Sequence, residues 1–442
     1  MQGLLSFEQA PPIAAPFRFF LSAPLFSALA GVLLLVQGGE VFSSRWAPSA
    51  LAATHLITVG FMLQIILGAM IQILPVVAGA NLPQPLWVAR AVHALTALGA
   101  LALVAGFLGL SALAFPAATL LLGGGVLVFL LTAAHSLRGV PPTSASIVGF
   151  KRSLIALSAV VSLGLALAGG LGGQWSLPMI ETTRLHVAWG LAAWALGVLS
   201  AVAYVVVPMF QITPSFPRWF SRNFGISLLV CVALASLAVL VAQETLAGLV
   251  ESVVVWLAAG FCAMTLWLQS RSKRARPDIT QRLWRSAMVC GLAACLLWEA
   301  AHLYPPIAAS RAWPLLFGVL VLVGGFMAVI VGMLYKIVPF LVWLHLQNRG
   351  KGRVVAPNMK MVLAESRMKL HLVAHFVVLG LLVAAALWPT LAARPAGLAL
   401  VVASALLAAN LLSAVAVYRR HAALVDARLA ELAGVRSAAG QR

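Results

Sequence analysis

The chain has 442 residues, of which 62% are apolar and only 9% charged, with a formal charge of +19 at pH 7. A soluble domain of this size needs a charged surface, so this balance excludes a water-soluble globular protein and makes lipid the solvent. The basic excess would suggest nucleic acid in a soluble chain, but here the lysines and arginines gather in alternate loops, so it reads as membrane topology and no nucleic-acid partner is expected.

A hydrocarbon core roughly 30 Å thick takes about 20 residues of helix, and backbone groups in lipid must bond within their own segment. Apolar runs of that length predict spans at about 18–37, 52–78, 89–110, 112–136, 151–172, 184–211, 223–243, 249–270, 283–304, 314–344, 366–388 and 395–417. Before the first run there is no basic stretch, and residues 36–40 make a poor cleavage site, so no removed signal peptide is expected. Loops rich in Lys and Arg fall after the even-numbered spans, with Arg271, Lys273, Arg274 and Arg276 as the densest group. The positive-inside rule then places both termini in the cytoplasm and the chain in a bacterial inner membrane, with the lipid bilayer as its first partner.

Three of the even-numbered spans close in similar sequence: span two on Gly68 to Pro75, span six on Ala201 to Pro208, and span ten on Gly332 to Pro339. The prolines are 133 and 131 residues apart, and each has a small residue seven positions before it, which allows close helix approach. The expected fold class is therefore all-α integral membrane, a single transmembrane domain over 1–442. Its twelve transmembrane helices fall into three pseudo-repeated four-helix units, at approximately 18–136, 151–270 and 283–417.

Ionisable residues at membrane depth are expensive and point to function. His55 lies about one turn inside the outer end of span two, and His186 lies at a similar depth in span six, the equivalent helix of the next unit. In span nine, Glu299 and His302 sit one turn apart near the same surface. Neutral imidazole ligates haem iron or copper, and a carboxylate such as Glu299 can orient a ligating histidine. His371 and His375 have i, i+4 spacing in span eleven, but Arg367 and Lys369 beside them favour an ordinary interfacial pair. His93, His135, His345 and His421 read as solvated residues near cytoplasmic helix ends, and Lys336 as a snorkelling lysine. Trp189 and Trp194 inside span six read as core packing. Cys231, Cys262, Cys290 and Cys295 lie within spans with no C-x-x-C spacing, so they read as packing residues and not as disulfides or a zinc site.

Twelve spans, three four-helix repeats and outer-level histidines on helices two and six together resemble subunit I of the haem–copper oxidase superfamily. The Pro16-Phe-Arg-Phe-Phe20 segment and the stretch from His55 to Pro75 are similar to NnrS-type proteins, haem- and copper-containing relatives linked to nitric oxide tolerance. The resemblance implies that helices two, six and ten line the centre, that His55 ligates haem b and His186 copper, and that Arg394, in an outer loop before span twelve, meets haem propionates. The departures are as informative. Residues 223–243 contain no histidine, span ten has only His345, and Gly190 stands where an acidic or tyrosine partner follows the sixth-helix histidine. A complete binuclear centre is thus absent, and a functional oxidase is not expected.

The function expected is a haem- and/or copper-binding, oxidase-like membrane protein in nitric oxide stress or respiration, with a redox or metal-donor partner. Its cofactor-binding residues would be His55, His186 and Arg394, and its metal residues His55, His186, His302 and Glu299. The alternative is a membrane transporter or metal-delivery protein without redox chemistry, although carriers more often show two inverted halves than three parallel units.

Overall fold

The computed structural model describes residues 7–351 and 353–439; the expectation about the start of the chain falls in part on residues 1–6, outside the described residues. The protein is 84% helical, and no strand occurs among the described residues. Among the described residues, twelve helices are long and apolar enough to cross a membrane. They are α1 (Ala14–Phe42), α2 (Pro48–Ala78), α3 (Pro85–Phe107), α4 (Ala114–Leu137), α5 (Ala145–Leu171), α6 (Met179–Gln211), α7 (Arg218–Leu240), α8 (Glu244–Ser270), α9 (Ile279–Leu303), α10 (Ala312–Gly350), α11 (Glu365–Leu387) and α12 (Pro389–Leu432).

Local chemistry sets the helix ends. Pro48 and Pro85 open α2 and α3 at the first turn, where a missing N–H costs nothing. Ser144 and Asp278 cap α5 and α9, accepting from Ile147 N at 3.2 Å and Gln281 N at 2.9 Å. Gly79 closes α2 in the left-handed conformation, φ 65°. Asp278 also pairs with Lys336 at 2.7 Å, so that lysine joins the start of α9 to α10 and does not snorkel. The expected spans match these helices to within a few residues except for the last, where the helix runs from Pro389 to Ala439 and Pro395 lies inside it.

α2, α6 and α10 share a feature that hydropathy does not show. Each is interrupted by a π-helical segment, at Leu56–Leu63, Ala188–Leu196 and Leu320–Met327. Pro75, Pro208 and Pro339 each stand twelve residues after the last residue of that segment. The small residue seven positions before each proline packs on the helix that immediately precedes its own. A Cβ on Gly68 would lie 2.8 Å from Phe19 of α1, Ala201 Cβ faces Gly149 of α5, and Gly332 faces Leu283 and Trp284 of α9. Thr280 of α9 donates to the Gly332 carbonyl at 2.9 Å.

The π segments of α2 and α10 touch. α2 is the most enclosed helix, with 83% of its most apolar stretch buried against 56% for α6 and 39% for α10. The first and last helices close on each other: α1 packs along α12, with bare backbone at Gly31 against Gly397. A Cβ on Gly397 would lie 2.6 Å from the Gly31 carbonyl oxygen. Gly397→Ala should therefore cost about 1–3 kcal/mol through overpacking, read as a lower thermal midpoint in detergent. Gly124→Ala and Gly380→Ala face open space and should leave the midpoint unchanged or raise it.

Candidate functional site: a histidine pair at one end of the bundle

His55 is the last residue before the π segment of α2, and His186 lies two residues before that of α6. Tertiary packing brings the two rings together. Their centroids are 6.4 Å apart and their planes differ by only 15°. On His55, Nδ1–H donates to the Leu51 carbonyl one turn back at 2.8 Å. On His186, Nδ1–H donates across to the Val160 carbonyl of α5 at 3.0 Å. Because carbonyls only accept, both contacts fix the tautomer with the proton on Nδ1 and leave Nε2 with its lone pair.

Neighbouring helices hold each ring in place. Phe107, at the end of α3, lies beside His55 with ring centroids 4.9 Å apart, and Phe115 of α4 stands edge-on behind it at 5.6 Å. His186 rests on bare backbone: a Cβ on Gly164 of α5 would lie 2.9 Å from His186 Cε1. The end of α6 that carries His186 is tied to α8 by Arg184. Its Nε and Nη2 bind Glu251 at 2.6 and 2.9 Å, and its Nη1 binds Glu244 at 2.7 Å. These partners lie 60 and 67 residues away, so the sequence alone shows Arg184 only as a charge at a span end.

The other expected site residues go elsewhere. His302 stacks on Trp298 of its own helix, with centroids 5.3 Å apart, and faces Gly248 of α8. Glu299 is half-buried, with Oε1 unpartnered, and lies near Cys295. Among the described residues, no three His, Cys, Asp or Glu side chains come together as a group able to hold a metal. Of the expected His55, His186, His302 and Glu299, the structure brings the first two rings together, while His302 packs against α8. Arg394 is not in a loop. It lies in the second turn of α12, exposed, with Nε donating to the Leu35 carbonyl at 3.3 Å and its side chain over Gly38, so it caps the end of α1.

Four further histidines correct the reading of interfacial or solvated residues. His93 Nε2 lies 2.8 Å from the Ser22 hydroxyl, and His345 bonds the Leu341 and Pro11 carbonyls at 2.8 and 3.0 Å. His371 and His375 are buried in the bundle, 2% and 3% exposed, each with one ring nitrogen unpartnered. Trp194 is core packing as expected, Trp189 donates to the Ser236 hydroxyl at 3.0 Å, and all four cysteines are free.

No family model matches the chain, and no curated protein matches it. The site is therefore read from its own chemistry. Two imidazoles of fixed tautomer, with their free nitrogens undirected toward any protein donor, form a bidentate soft-to-borderline donor pair of the kind that suits copper or iron. Gly164→Val should displace the His186 ring, and with it weaken by about 10–100-fold any metal the pair holds, measured by competition with a chelator. Gly260→Val, in open space on α8, should leave it unchanged.

Proposed function

We propose that this chain is a metal-binding membrane protein of haem–copper-oxidase type, in which His55 and His186 hold haem iron or copper through Nε2. The observation that carries this is the near-parallel ring pair with both Nδ1 atoms bound to backbone carbonyls. Metal–imidazole bonds of about 2 Å place two ring centres flanking one metal roughly 6 Å apart, which the 6.4 Å separation fits. Carbonyl acceptance at Nδ1 raises ligand basicity and holds the ring plane, the usual arrangement behind a ligating histidine.

Three recurrent features support a three-unit architecture: the π segments, the prolines twelve residues beyond them, and the small residue that packs on the first helix of each unit. π-helical turns inside α-helices recur at functional sites, because the wide turn redirects the side chains around it. In α2 and α6 the redirected turn follows a histidine, whereas Val319 stands before the π segment of α10.

A metal bound there would supply a coordination position for a small ligand such as nitric oxide, or a one-electron couple. The residues of the chain orient it and exclude competing ligands: Phe107 shields His55, and the Arg184–Glu251 pair anchors the end of α6. Dioxygen reduction is not proposed. α7 has no histidine, and the one histidine of α10, His345, is committed to backbone carbonyls.

The charge asymmetry of the loops supports an inner-membrane orientation with both termini and the 271–282 loop in the cytoplasm, and so a periplasmic histidine pair. An impermeant thiol reagent applied to intact cells should fail to label Arg276→Cys; labelling would invert the orientation. Detergent-purified protein should carry a Soret band or stoichiometric copper. The His55→Ala, His186→Ala double variant should lose that signal while remaining folded by circular dichroism. Full cofactor content in the double variant would overturn the proposal and favour a transporter or metal-delivery role.

A further inference from the structure

The second histidine pair lies in the interior. His371 and His375 stand one turn apart on the inward face of α11 and line a small cavity of about 10 Å³, room for roughly one water-sized sphere. Met327, Val331, Phe61, Ser27 and Ser404 complete much of its wall. The cavity sits where the π segments of α2 and α10 approach each other, since Phe61 belongs to one segment and Met327 is the last residue of the other.

Most polar atoms around this cavity are satisfied. Ser27 and Ser404 hydroxyls pair at 2.8 Å, and Asn410 donates to the Tyr335 hydroxyl at 2.9 Å. Tyr335 stands edge-on to His371, with ring centroids 5.7 Å apart. Two atoms are not satisfied: His371 Nδ1 and His375 Nε2 are buried without a hydrogen-bond partner. An unpaired buried polar atom is costly, and two on residues one turn apart that line the same cavity call for a shared ligand.

We propose that His371, His375 and Met327 form a second metal site, one that takes monovalent copper. Two imidazoles and a thioether are soft, neutral donors, which select copper(I) over harder ions. The cavity walls carry no carboxylate or thiolate, so a divalent cation would bring two uncompensated charges into an apolar interior, at a cost that rises with the square of the charge. A water molecule bonds both nitrogens without adding charge but leaves the thioether unengaged, whereas copper(I) engages all three donors at the cost of a single positive charge. This inference stands apart from the reading of His55 and His186, since the two sites share no residue, although Phe61 lies only about 9 Å along α2 from His55.

The test uses full-length protein in detergent, with His55→Ala and His186→Ala combined to remove the first site, stripped of metal and titrated anaerobically with copper(I) against a chromophoric chelator. One equivalent should still bind. Adding His375→Ala should weaken it by at least about 100-fold, and Met327→Leu, which conserves volume, by about tenfold. Copper X-ray absorption of the site should show a sulfur neighbour that Met327→Leu removes. Zinc(II) should not compete. Because Met327→Leu leaves the core filled, it tests the site even where a histidine variant fails to fold. The inference is overturned if the double-variant background binds no copper(I), if His375→Ala retains full affinity, or if the absorption spectrum lacks a sulfur neighbour. Wild-type protein that binds copper(I) only here, with no metal at His55 and His186, would overturn only the earlier proposal.

Discussion

The bilayer offers no hydrogen-bond partner, and that constraint governs both the backbone and the few polar side chains of this protein. A helix in lipid must satisfy every carbonyl internally, so a wide turn is tolerated only where neighbouring helices enclose it. The three π segments lie on α2, α6 and α10, and those of α2 and α10 face each other. Gly60, within the first of them, lets the Phe26 ring approach so closely that a Cβ would lie 2.5 Å from it. Bare backbone is thus what lets α1 seal the wide turn of α2 from lipid.

The same constraint sorts the histidines. A histidine whose two nitrogens both lie against carbonyls, as in His345, ties elements together and turns neither nitrogen to a vacant position. One whose Nδ1–H alone is engaged, as in His55 and His186, keeps Nε2 available. Where a nitrogen is buried with no partner, as in His371 and His375, the protein carries a cost that only a bound species removes. These differences are set by helix packing, and residue type or depth alone does not distinguish them.

Much of the fold is legible in the sequence because long apolar runs have one solution in lipid. The proline spacing identifies the three helices that turn out to carry π segments, although the segments themselves leave no trace in an all-apolar run with no polar face to break its periodicity. Boundaries fail where charge is taken for a loop: Arg394 sits within α12, and α12 continues past 417 as a charged extension whose Asp426 binds Arg349 at 2.6 and 2.7 Å. The pairing of His55 with His186 is readable from equal depth on equivalent helices. The burial of His371 and His375 is not, because their basic sequence neighbours suggest an interface while the residues that enclose them come from α1, α2, α10 and α12. For Glu299 and His302, i, i+3 spacing gives a shared face but not which neighbouring helix it meets, and His302 faces Gly248 of α8.

The central claim is that the ring pair of His55 and His186 is a metal site and not a packing accident. Anomalous diffraction at the iron and copper edges, on crystals of protein purified without added metal, tests it most directly. The account predicts a single peak between the rings, within about 2 Å of both Nε2 atoms. Rings joined by ordered water with no anomalous peak, or a peak at that end of the bundle coordinated by neither histidine, would contradict it.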